Sequence, residues 1–148
     1  MGDYIELSEK LNCPADGVFE FYSRQCYLFP TIMPTVFKEV KRIKPEGSER
    51  NWTFVNAASC GSWMDTVGPI DTENKSIKWT LLAGDVPLKS YKSLSVVHHF
   101  SISEGGCVAK VVLTFEKKHD HGPVPIDYMK VLCDMLRAVE EYVQNDTH

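Results

Sequence analysis

The sequence predicts an α+β domain in which an antiparallel sheet curls around one long C-terminal helix. Three observations predict it. Residues 125–144 carry the one long apolar pattern at helical spacing. Six extended segments precede it, joined mostly by hairpin-length turns, and such links connect strands that run antiparallel. Ahead of those stand one alternating segment and two short helical stretches.

Each element has a local cause. In residues 4–11, Ile5, Leu7 and Leu11 alternate with Glu6, Ser8 and Lys10, a strand pattern. In "CPADGVFEFYS", Pro14 opens a helix, Asp16 suits its positive end, and Val18, Phe19 and Tyr22 form an apolar stripe. "FPTIMP" is bracketed by Pro30 and Pro34 and leaves room only for a very short second helix. Extended segments follow at 36–43, 51–56, 62–67, 76–82, 89–102 and 107–117, divided by "PEGSER", a small-residue turn at 57–61, "DTENK", "AGDVP" and "SEGG". In the last helix, Tyr128, Leu132, Met135, Val139 and Tyr142 repeat at three-or-four spacing. Met129, Leu136 and Val143 widen the stripe beyond what a solvent-facing helix needs, so this helix should lie across the sheet.

Composition narrows the function classes. A chain of 148 residues without linker, repeat or low-complexity tract fits a single domain over residues 1–148. A net charge of −4 argues against a general nucleic-acid binder, and the basic run "FKEVKRIK" reads as a solvated strand face. The five cysteines, Cys13, Cys26, Cys60, Cys107 and Cys133, are odd in number and show no CxxC or Cys/His ligand spacing, so neither zinc nor a disulfide framework is expected. "MGDYIELSEK" lacks an apolar signal core and no apolar run is long enough to span a membrane, which points to a reduced, cytoplasmic setting. No G-x-S-x-G elbow, Walker loop, dinucleotide fingerprint or H-E-x-x-H helix occurs, and no cofactor is expected. His119 and His121 flank Asp120, but three neighbours on one loop seldom close a metal shell.

The stretches "CPADGVFEFY", "FPTIMPTVFKEV", "DTENKSIKW", "GDVPLKSYKS", "FEKKHDHGPVPIDYM" and "LRAVEEYV" run in order across nearly the whole chain. As a set they resemble a major latex protein-like member of the plant pathogenesis-related class-ten, birch-pollen-allergen superfamily. The resemblance implies a helix-grip fold: a seven-stranded curved antiparallel sheet and two short helices, with the long helix as lid, enclosing a large hydrophobic cavity. Two departures matter. "KPEGSERN" has Gly47 as its sole glycine where the family carries a glycine-rich loop, which weakens any phosphate-cradle role. Ala83-Gly84-Asp85, with Pro87 nearby, replaces the family's Glu-Gly-Asp and should reshape the cavity entrance.

Alternation sorts the candidate site residues. Trp52 and Phe54 share a face, as do Ile77, Trp79 and Leu81, and Val111, Leu113 and Phe115. With Tyr128, Leu132 and Met135 from the helix, Trp52, Phe54, Trp79 and Leu81 are either plain core or the wall of a ligand cavity. In "SLSVVHHF", adjacent histidines point to opposite faces. His98 joins Leu94, Val96 and Phe100 inside, and His99 faces out. An inward His98 is either satisfied by a neighbour or offered to a ligand. Glu9 shares parity with Ile5, Leu7 and Leu11, which makes it an inward carboxylate in need of a partner or an edge residue. Asp65 is a cavity-mouth acid by resemblance or a solvated hairpin residue by position.

Two functions follow. The leading expectation is a cytoplasmic binding protein for small hydrophobic plant metabolites, with ligand contacts among Glu9, Trp52, Phe54, Asp65, Trp79, Leu81, His98, Tyr128, Leu132 and Met135. It involves no nucleic acid and no membrane. The alternative is a cofactor-independent cyclase or isomerase of terpenoid or alkaloid intermediates, using the same cavity with His98 as acid/base.

Overall fold

Strand β1 (Asp3–Leu11) is amphipathic in space as in sequence: Glu6, Ser8 and Lys10 are exposed, while Leu11 is fully buried. The computed structural model describes residues 3–43, 49–55, 62–84, 90–119, 122 and 124–145. The glycine-poor loop at 44–48, the small-residue turn at 57–61 with Cys60, the reshaped entrance at 85–89, and Asp120 and His121 lie outside the described residues.

Helix α1 (Ala15–Arg24) begins after Pro14, which holds the extended N-cap conformation at φ −64° and ψ 142°. Asp16 in its first turn and Arg24 in its last complement the peptide dipole. Its buried stripe is Ala15, Val18, Phe19, Phe21 and Tyr22. A 3-10 turn (Cys26–Leu28) leads into the short α2 (Phe29–Ile32), which carries Pro30 at its start, where a missing N–H is harmless.

The remaining strands are β2 (Phe37–Arg42), β3 (Glu49–Phe54), β4 (Ser62–Asp71), β5 (Ser76–Gly84), β6 (Tyr91–Ser103) and β7 (Gly106–Lys117). All neighbours are antiparallel, in the order β1-β7-β6-β5-β4-β3-β2. Two boundaries differ from the sequence reading in ways that matter. Strand β4 continues past Gly68-Pro69 to Asp71, because a shift in pairing between Val67 and Ile70 takes up the proline. Strand β3 starts at Glu49, so Arg50 belongs to the ladder and not to the turn.

Helix α3 (Ile126–Asn145) packs on β7, α1 and α2. It buries Tyr128, Leu132, Met135, Leu136 and Val139, the stripe expected from its spacing. Its C-terminal half is fastened down. Arg137 pairs with Glu9 and, at 3.2 Å, with Glu140; the backbone N–H of Asn12 donates to Glu140 Oε2 at 2.6 Å. Gly17 lets α1 approach closely, since a Cβ there would lie 2.8 Å from Val143 Cγ1. Among the described residues, no helix is long and apolar enough to cross a membrane.

Candidate functional site

The interior between sheet and α3 is built by register. Pairing sets Arg50 opposite Asp65, Trp52 opposite Trp63, Asp65 opposite Leu81, Trp79 opposite Val96, and Ile77 opposite His98. Alternation then sends this set to the inner face. The result is one aromatic cluster: Trp52 lies 5.7 Å from Trp63 and 5.6 Å from Trp79, and Trp63 is 6.0 Å from Tyr128.

The cluster nearly fills the space. An apolar cavity of about 30 Å³ remains, lined by Trp63, Asp65, Trp79, Leu81, Leu94, Val96, Leu113, Tyr128 and Leu132. That is roughly one water's share of liquid, against about 300–1,000 Å³ for typical ligand pockets. Among the described residues, the space between sheet and helix is thus smaller than the resemblance implies, because Trp63, Trp79 and Tyr128 converge on it.

Beside the cavity lies a buried ion pair. Arg50 donates from Nε and Nη2 to the two carboxylate oxygens of Asp65, both at 2.9 Å. Arg50 is 5% exposed and Asp65 1%, so the solvated hairpin position considered for Asp65 is ruled out. The guanidinium carbon sits 4.6 Å from the Trp79 ring centre and 4.9 Å from that of Trp52, and gains from both faces. Burial raises the Asp65 carboxyl pKa, an effect offset in part by Arg50 and by the Trp52 indole N–H.

His98 is fully buried, with ring centres 4.7 Å from both Tyr22 and Trp79 and 6.2 Å from Phe100. Neither ring nitrogen has a hydrogen-bond partner among the described residues, and the hydroxyl of Tyr22 and the indole nitrogens of Trp63 and Trp79 share that condition. Burial first, then the charge on Arg50, push the His98 pKa down to about 3. The imidazole is thus neutral at cellular pH, a donor and acceptor held among rings.

The sequence-derived candidates divide into three groups. Asp65, Trp79, Leu81, Tyr128 and Leu132 line the cavity. Trp52, Phe54, His98 and Met135 are buried in the surrounding core. Glu9 stands apart at the β1 edge, about a third exposed, where Arg137 neutralises it; of the two positions the sequence left open, inward or edge, it takes the edge, from which it reaches the helix. His99 is half-buried on the outer face. Sequence reasoning overlooked Arg50, Trp63 and the buried hydroxyl of Tyr22. Arg50 was detectable: it has the parity of Trp52 and Phe54 once β3 is extended by one pair. Trp63 likewise shares parity with Asp65.

Comparison with known proteins agrees with this architecture. The chain is 24% identical to major latex protein 146 of Papaver somniferum over 131 residues, covering 84% of this chain and 80% of that protein. It is 30% identical to pathogenesis-related protein STH-21 of Solanum tuberosum over 122 residues, covering 78% and 76%. The crystal structure of ginseng major latex-like protein 151 from Panax ginseng superposes with a TM-score of 0.85 at 16% identity, over 97% of this chain and 98% of that one. Norcoclaurine synthase from Thalictrum flavum, solved with dopamine and hydroxybenzaldehyde, superposes with a TM-score of 0.79 at 18% identity, over 100% and 90%. The sequence also matches the pathogenesis-related protein Bet v 1 family over residues 3–146, and the chain belongs to that family.

Proposed function

We propose that this protein binds small, largely apolar plant metabolites that carry one or two polar substituents, in the interior between sheet and α3. The observation that carries the proposal is the set of unpartnered polar atoms on Tyr22, His98, Trp63 and Trp79, buried among stacked rings. Each such atom costs about 1–3 kcal/mol when left unsatisfied, and a bound hydroxyl or carbonyl would relieve it. The cavity must widen to admit a ligand. Tyr128 and Leu132 are the natural yielding wall, since they lie on the half of α3 away from the Arg137 and Glu140 attachments. Removing roughly 330 Å² of apolar surface from water is worth about 8 kcal/mol, the free energy of a micromolar complex before ordering costs. The free thiols of Cys13, Cys26, Cys107 and Cys133 support a reducing, cytoplasmic setting.

All three tryptophans are interior, so their fluorescence reports occupancy directly. Titration with flavonoids, terpenoids and alkaloids should give saturable quenching for at least one class. No spectral change across the whole panel overturns the proposal.

A second reading is a cofactor-independent cyclase or isomerase acting on terpenoid or alkaloid intermediates, with His98 in contact with substrate. The two unpartnered nitrogens of His98 support it, as does the fold shared with norcoclaurine synthase. A histidine with a pKa near 3 is a weak base, which favours the binding reading. If the enzyme reading holds, His98→Ala changes product ratios with the true substrate; unchanged ratios refute it.

A further inference from the structure

A second concavity of about 340 Å³ opens between the end of α1 and strands β2, β3 and β4. It shares no lining residue with the inner cavity. The partition is Tyr22, whose ring stacks on Trp79 at 5.8 Å while its side chain lines the cleft.

The chemistry of this cleft is unlike that of the interior. Arg24, Arg42 and Arg50 line it, and no acidic side chain does among the described residues. Arg50 at the floor is neutralised by Asp65. Arg24 and Arg42 are exposed and form no ion pair among the described residues. Two uncompensated guanidiniums therefore face one cleft in a chain whose net charge is −4. Val40 and Val67 provide apolar wall beside the charges.

We propose that this cleft is a second binding site, for a small organic carboxylate with a flat apolar body. A guanidinium fork fits a carboxylate through two parallel N–H···O bonds. The aliphatic wall takes the body, and the volume suits a molecule of one or two rings. Binding here is electrostatic in selectivity, whereas the interior selects by apolar surface. The two sites should respond to different variants.

The test is calorimetric titration of the full chain with 1-naphthoate and with its uncharged counterpart 1-naphthamide. Naphthoate should bind at least about tenfold more tightly than the amide, and more weakly as salt rises. Arg24→Gln/Arg42→Gln, two exposed positions that leave the core intact, should remove that preference. The interior ligand's tryptophan quenching should be unchanged by the double arginine substitution. Equal affinity for acid and amide, full-strength naphthoate binding by the double variant, or no naphthoate binding at millimolar concentration would each overturn the proposal.

Discussion

Acid should destabilise this protein through His98, and the size of the effect follows from its surroundings. The imidazole is fully buried between Tyr22 and Trp79 with neither nitrogen partnered, and its pKa falls from the usual 6.5 to about 3. Unfolded, the same side chain takes a proton near pH 6.5. Between these values the unfolded state therefore holds more protons, and lowering the pH favours unfolding. The contribution is intact above pH 6.5 and is lost progressively as pH falls toward 3. At about 1.36 kcal/mol per pH unit, the loss between pH 6.5 and 4.5 is roughly 2.5 kcal/mol from this one residue. His98→Phe preserves a ring for Tyr22, Trp79 and Phe100 to pack on and removes the titration. Urea unfolding followed by tryptophan fluorescence at half-unit pH steps measures both proteins. Carboxylates elsewhere titrate alike in the two, so the difference in slope isolates His98. Parallel stability curves for wild type and variant across pH 6.5 to 4.5 would refute the reasoning.

Other substitutions test separate parts of the structure. Asp65→Ala leaves the Arg50 guanidinium buried without its partner and should lower stability by about 3–5 kcal/mol in urea; Arg50→Met with Asp65→Leu should recover much of that loss. Gly17→Ala drives a methyl to within 2.8 Å of Val143 and should cost about 1–3 kcal/mol, seen as a lowered Tm, whereas Val143→Ala in the same chain should restore it. Arg137→Ala breaks partly exposed pairs with Glu9 and Glu140, so global stability should fall by no more than about 1 kcal/mol. The same change should speed amide hydrogen exchange in the C-terminal half of α3, because that half loses the Arg137 contacts with Glu9 and with the Lys10 carbonyl.

How much of this was legible in the sequence differs by residue. The strand and helix periods identified the inward sets, and Trp79, Leu81, Tyr128 and Leu132 do line the interior because side-chain direction depends only on local backbone geometry. His98 was separable from His99 for the same reason. Glu9 shows the limit of that logic. Parity left it either an inward carboxylate or an edge residue; β1 is an edge strand, and only the position of α3 supplied Arg137 as its partner. Arg50, the last residue of "PEGSER", reads as part of a turn because a charged residue there carries no local sign of burial. Its burial depends on Asp65, fifteen positions on, arriving opposite it through the β3–β4 register.

The sequence by itself thus determined the elements, their order, the antiparallel sheet, the inner face of each element and the family. The tertiary structure alone decided how much room the interior keeps. Cavity volume is the small difference between the space enclosed by the sheet and the bulk of the side chains sent into it, and no periodicity reports that difference. It also decided which charges are neutralised and which are left free, because ion pairs across strands form between residues that only the fold brings together.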